Sequence, residues 1–343
     1  MYFLDCWPVF LQAPYWGPCL RQTEGKGKKI KKIVKKLTIS PLPSLSTKLY
    51  SMRSLKLTLA VAVVLLAATA CQQTGRKQPE PIVSVSIIPL QFFIDQLTDG
   101  ALEVNVMVPP GASHATYSPT TSQFRRLSDS GLYFRIGHLG YEQAWIGRLS
   151  ELNPTMKVVN LSGGLELIRG EEIDHGDHVH EGGIDPHIWM SPSVMLKLLP
   201  TMRDAILEIY PELSETVQTR YEELQAELLS VHRAMEMVTS DLDQRTFMIF
   251  HPALTYLARD YGLEQVSIER GGKDPTPAQL SRIIREARTH QVPLIFIQEE
   301  FDVRSAQLVS EESGATLVQI NPMAYDWIDE MHRLMGLFKE YLQ

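Results

Sequence analysis

At 343 residues the chain is about twice the usual domain length, so two domains are expected. Hydrophobic residues at 44%, charged residues at 21% and aromatics at 8% sit near the globular average and exclude a disordered, collagen-like or multi-span membrane protein. The formal net charge of -7 conceals a split: residues 1–70 carry eleven Lys/Arg and two Asp/Glu, leaving 22 basic and 38 acidic residues from Cys71 onward, so the body is expected to avoid nucleic acid and to suit cations.

Residues 1–51 hold a basic run, Lys26 to Lys36, and the helix breakers Pro41 and Pro43. They match nothing downstream and read as an extension from a start codon placed too early, with Met52 the true first residue; a basic arm for nucleic acid or membrane is the alternative. From Met52 come Arg53, Lys56, an apolar run Leu57 to Ala68, and then Thr69-Ala70-Cys71. A basic start, about a dozen apolar residues and small residues before a cut site mark a secretory signal over residues 52–70, too short to span a membrane comfortably. With Cys at the cut it resembles a bacterial lipoprotein signal, which implies lipidation at Cys71 and a membrane anchor. Residues 71–80 are polar and contain Gly and Pro, as a tether does.

Beyond the tether, Ile82 to Ile88, Leu132 to Ile136 and Val158 to Leu161 are short branched-apolar runs separated by helical stretches, which predicts a parallel α/β lobe over residues 81–210. Leu213, Val217, Tyr221, Leu224, Leu228, Val231, Met235 and Val238 then recur at spacings of three and four. One connector helix of about 27 residues, some 40 Å long, is predicted within residues 211–240; a coiled-coil dimer seam is the alternative reading of the stripe, and a monomer is the expectation. A second strand set, Phe247 to Phe250, Val266 to Ile268, Leu294 to Ile297 and Thr316 to Ile320, predicts another α/β lobe over 241–343. Within it, Thr276, Pro277 and Gln279 form an N-cap, N1 and capping-box sequence for a helix from Ala278 to Thr289.

The three cysteines, Cys6, Cys19 and Cys71, all precede the body, so a metal site there must use His, Asp or Glu. All ten histidines follow Cys71. His114 lies in a turn-rich segment after the apolar Val104 to Val108, His187 in Asp185-Pro186-His187-Ile188-Trp189, and His251 between a predicted strand and Pro252. All three fall at loops bounding α/β units, where open sheets gather ligands, and imidazole suits Zn²⁺. Their spacing matches no finger or protease motif, so spacing alone assigns them weakly.

Five blocks in order sharpen the reading: Val108-Pro109-Pro110-Gly111 with His114; Gly140-Tyr141-Glu142 with Trp145; Asp185-Pro186-His187-Ile188-Trp189; His251-Pro252-Ala253 with Arg259-Asp260-Tyr261-Gly262; and Asn321-Pro322-Met323 with Asp326-Trp327. Over Ile82 to Gln343 the chain resembles the metal-specific solute-binding proteins of bacterial ABC importers, of the zinc-receptor type. The resemblance implies two α/β lobes joined by one long helix with the metal between them, and His114, His187 and His251 as ligands. Many members of that family have Asp where Asn321 falls, so the fourth position is left to water, Asn321, Glu299 or Glu300. Histidine at 251 favours zinc, because manganese prefers oxygen. His175, His178 and His180 stand where zinc receptors carry a longer His-rich loop, and read equally as a weak auxiliary metal site or a solvated acidic loop. His138, His232, His290 and His332 are expected to be structural or surface residues.

The expected function is therefore an extracytoplasmic lipoprotein, periplasmic or on the cell surface, that captures Zn²⁺ and delivers it to an ABC permease. The sequence has no P-loop, which assigns ATP hydrolysis to a separate subunit. A manganese or iron receptor is the nearest alternative. A zinc hydrolase, with Glu299 or Glu300 as general base, and an adhesin on the same fold are rivals from other classes, and no enzyme activity is expected. Zinc affinity is expected to fall as pH drops through about 6.5.

Overall fold

The computed structural model describes residues 81–170, 173–174, 179–180, 183–269 and 274–343. Residues 1–51, the signal, Cys71, the tether, His175 and His178 lie outside them. The N-terminal lobe starts with β1 (Ile82–Ile87), whose Val83, Val85, Ile87, Ser84 and Ser86 are all fully buried. A strand covered on both faces is expected at the centre of a parallel sheet, and β1 pairs with β2 (Glu103–Val108) on one side and β3 (Leu132–Arg135) on the other. β4 (Lys157–Asn160) pairs with β3, giving the order β2-β1-β3-β4, all parallel. The buried hydroxyls of β1 are satisfied: Ser84 meets Ser130 at 2.7 Å and accepts from Asn105, and Ser86 meets the Tyr133 hydroxyl at 3.0 Å.

Between these strands run α1 (Ile88–Thr98), α2 (Thr121–Ser128), capped by the Thr120–Gln123 capping box, and α3 (Gly140–Leu152). Glu142 in the first turn of α3 is fully buried and accepts from the backbone N–H groups of Ile136 (2.9 Å) and Gly137 (2.5 Å) and from the Ser86 hydroxyl. It ties the loop after β3 to β1. A two-residue antiparallel pair, β5 (Ile173–Asp174) with β6 (Val179–His180), precedes the His187 segment.

α4 (Pro192–Ile209) leads to α5 (Ser214–Ser240), the predicted connector. Val217, Tyr221, Leu224, Leu228, Val231 and Met235 are buried along one stripe, which packs on α1, α4 and α9 (Trp327–Leu342) of the same chain. The stripe that a coiled-coil seam would need is covered from within.

The C-terminal lobe repeats the topology without repeating the sequence. Strands β7 (Thr246–Ile249), β8 (Glu264–Ser267), β9 (Leu294–Gln298) and β10 (Thr316–Ile320) are parallel in the order β10-β9-β7-β8. Counted from its first strand this is the same 2-1-3-4 arrangement. Strand alternation sends Phe247 and Ile249 into the core shared with the N-terminal lobe, and Met248 and Phe250 into a second core with Ile268, Ile283 and Val309. α6 (Thr255–Tyr261), α7 (Pro277–Thr289) and α8 (Arg304–Ser313) complete the lobe, and α7 carries the predicted Thr276–Gln279 capping box. The fold class expected from the sequence, two parallel α/β lobes with one long helix between them, is the one observed.

Both lobes belong to one compact unit. Among the described residues no helix is long and apolar enough to cross a membrane.

Candidate metal centre

His114 follows β2 through Pro109-Pro110-Gly111, where Gly111 takes φ 72°, a left-handed conformation that glycine adopts without a Cβ penalty. The Ser113 carbonyl accepts from Thr116 and Tyr117, closing a turn around His114. His187 is set by Asp185, whose Oδ1 accepts both the His187 backbone N–H (2.9 Å) and the Nδ1–H of its ring (2.8 Å). His251 leaves the end of β7 and is clamped by Gln298 at the end of β9, which donates to the His251 carbonyl at 2.7 Å and accepts from its N–H at 3.3 Å. Its Nδ1 meets Glu269 Oε1 at 2.7 Å, and its ring stacks on Phe301 with centroids 4.6 Å apart.

The three rings converge through Nε2. His114 and His187 approach to 2.7 Å and His187 and His251 to 3.2 Å, with the three ligand atoms all within 4.8 Å of one another. The side chains lie in the interior: His114 and His187 are 2% exposed and His251 8%. Trp189 walls the cluster, 5.7 Å from the His114 ring and 5.1 Å from that of His187.

Protonation follows from this geometry. The carboxylates at Nδ1 of His187 and His251 accept a ring N–H there, which turns each Nε2 toward the cluster. Burial holds the His114 and His187 rings below the usual His range, so both are neutral near pH 7. Burial pushes the Asp185 carboxyl up, but the interactions it makes with His187 outweigh it and keep the group below its ordinary value. A neutral His187 that donates from Nδ1 presents its Nε2 lone pair to the cluster, where a cation can take it. Tetrahedral Zn²⁺ with bonds of about 2.0–2.1 Å places its nitrogens about 3.3 Å apart, so the residues fit that ion with small adjustments.

The other predicted positions fare differently. Asn321 is exposed, and its amide oxygen accepts from the Met323 N–H at 3.0 Å in the turn after β10. Glu299 is exposed, whereas Glu300 is half-buried, with Oε1 inside the protein and unpartnered among the described residues. Burial raises the Glu300 carboxyl, and the neighbouring His251 acts in the opposite direction. His138 is half-buried against Gln143, and His232 bonds the Tyr261 hydroxyl at 2.8 Å, a structural role as expected. Of the auxiliary loop only His180 is described, in β6.

The sequence reading missed Asp185 as an orienting group, and it missed Glu269, Gln298 and Phe301. Asp185 carried a local signal, an Asp two residues before a His. Glu269 carried none, because only the β7–β8 pairing, extended by the Glu269 N–H to the Phe250 carbonyl at 3.0 Å, brings it beside His251.

Residues 83–340 match the family described as zinc-uptake complex component A, periplasmic. The chain belongs to that family. Among curated relatives it is similar to the zinc-binding lipoprotein AdcA of Streptococcus pneumoniae, 26% identical over 285 residues covering 79% of this chain and 56% of that protein. It is also similar to the high-affinity zinc uptake system protein ZnuA of Bacillus subtilis, 25% identical over 77% of this chain and 86% of the relative. The chain spans about half the length of the AdcA relatives it matches. Among solved structures, a crystal structure of ZnuA superposes with a TM-score of 0.70 at 28% identity, over 77% of this chain and 99% of that one. A zinc-bound deletion mutant of ZnuA gives 0.69 at 27%, over 77% and 98%.

Family membership gives the wiring around the centre a context. The segment bearing His187 precedes the connector in sequence but is fastened to the C-terminal lobe. Trp189 Nε1 donates to the Pro322 carbonyl, Trp327 Nε1 donates to the Trp189 carbonyl, and the Tyr256 hydroxyl donates to the Asp185 carbonyl, at 2.8, 2.8 and 2.9 Å. Ser191 and Ser193 both donate to Asp260 Oδ2, at 2.5 and 2.6 Å.

Proposed function

We propose that this protein is an extracytoplasmic receptor that takes Zn²⁺ as cargo on His114, His187 and His251 and delivers it to an ABC permease served by a separate ATPase subunit. The observation that carries the reading is the convergence of three buried Nε2 atoms, two of them on rings oriented by a carboxylate at the opposite nitrogen. An all-nitrogen set favours zinc over manganese, which takes oxygen. The names of the AdcA and ZnuA relatives support the same ion. A fourth position is left to water: Glu300 Oε1 is buried but is not among the ligand atoms grouped within 4.8 Å of one another. Anchoring through Cys71 rests on the signal-like run before it. A monomer agrees with the connector stripe being consumed by helices of its own chain.

Titration calorimetry of the purified protein, with competition among Zn²⁺, Mn²⁺ and Fe²⁺, tests this. One tightly bound Zn²⁺ per chain, displaced poorly by the other two ions, is the expected result. Preferential binding of Mn²⁺, or no saturable site, overturns it.

A further inference from the structure

We propose that Asp185 and Glu269 form the counter-charge of the metal centre, with Glu269 a positioning residue that delivers through His251 the negative charge that the directly coordinating groups do not supply. The inference rests on the three histidines being the metal ligands. Neutral imidazoles contribute no charge, and the atoms grouped within 4.8 Å of one another are all imidazole nitrogens. A dication entering rings that are 2–8% exposed brings two positive charges into a site where water screens little, and an uncompensated charge there is strongly unfavourable.

Two of the three rings have a buried carboxylate on the outer nitrogen. Asp185 is 8% exposed and 2.8 Å from His187 Nδ1; Glu269 is 4% exposed and 2.7 Å from His251 Nδ1. The third ring, His114, has no partner for Nδ1 among the described residues. Two anions one ring behind the ligands therefore match the two charges of the ion. They come from separate parts of the chain, Asp185 from the segment before α4 and Glu269 from just beyond β8, so no single motif encodes the pair. The arrangement keeps the inner shell all nitrogen, which selects for zinc, while moving the neutralising oxygens outward by the width of a ring.

The test uses the purified full chain, with Zn²⁺ and the monovalent Ag⁺ as probes in competition titrations. Glu269→Gln keeps an oxygen to accept the Nδ1–H and removes only the charge. Its Zn²⁺ affinity is expected to fall about 10–100-fold, as loss of an outer-shell partner typically costs. Its Ag⁺ affinity should fall by about half as much on a logarithmic scale, because Coulomb energy is proportional to the charge of the ion. The Tm of the metal-free variant should stay at or above that of the parent. A purely structural disturbance of His251 would weaken both ions alike, and that result overturns the proposal, as does Zn²⁺ binding within twofold of the parent. His251→Ala separates the two readings: if it retains parental Zn²⁺ affinity, the ligand assignment itself fails. If it loses Zn²⁺ while Glu269→Gln does not, only the counter-charge fails. Should Glu269→Gln not fold, Asp185→Asn carries the same expectation through His187.

Discussion

His187 is constrained at two points at once, because one carboxylate oxygen of Asp185 holds both its backbone and its ring. Its Nε2 is also the atom that both other histidines approach. Replacing it by Ala is expected to weaken Zn²⁺ binding by more than the roughly 10–100-fold attached to outer-shell losses, with the metal-free fold retained; calorimetry with a parallel melting curve checks both parts. The pH response follows from burial. His114 and His187 in the folded protein lie below 6.5, so between that value and their lower folded values the unfolded chain binds more protons. Stability of the metal-free protein is therefore expected to rise with pH through this window and to fall as acid is added. Urea midpoints at about pH 5.5 should lie below those at about pH 7.5. Protonation of these two rings competes with Zn²⁺ on the acid side of the ordinary His range, and affinity measured from pH 7.5 downward should fall as acid is added.

At the scale of elements, the connector α5 shows a stripe read from sequence becoming a structural part. Leu228 is fully buried on it, and Leu228→Ala is expected to cost about 2–5 kcal/mol in denaturant unfolding through the cavity it leaves. Helix α7 was legible to its cap: Thr276 and Gln279 satisfy each other's backbone donors as the sequence pattern requires. Thr276→Ala, on the surface, should cost about 1 kcal/mol and leave Zn²⁺ affinity unchanged, which a paired unfolding and calorimetry series would establish. The motif blocks acquire reasons at this scale as well. Glu142 ties the β3–α3 loop to β1, Asp260 receives two serine hydroxyls, and Trp327 bonds the carbonyl of Trp189. Each is a buried or half-buried polar group whose partner sits in another element, and so could be recognised as a recurring block without its purpose being visible.

At the scale of the whole molecule, the His187 segment lies before the connector yet is bonded to the C-terminal lobe through Pro322, Tyr256, Asp260 and Trp327. His187 and His251 are thus carried by mutually bonded structure, and His114 comes from the other sheet. Asp260→Ala removes the shared acceptor of Ser191 and Ser193. It should lower stability by about 1–3 kcal/mol through the stranded hydroxyls and reduce Zn²⁺ affinity by a smaller factor than loss of His187 itself. A loss of affinity as large as that of His187→Ala would mean that the segment depends on this one anchor.

The sequence by itself determined the class of fold, the connector and the α7 cap, because each rests on a local period or a capping pattern; spacing marked the three histidines only weakly, and the resemblance to a receptor family singled them out. It could not decide what stands behind those histidines. Glu269 and Gln298 reach His251 only through parallel pairing of β7 with β8 and β9, and contacts between strands separated by a helix leave no mark on local spacing. Nor could it reveal that Asn321 spends its oxygen on the Met323 N–H, since a buried or exposed setting belongs to the packed chain and not to the residue.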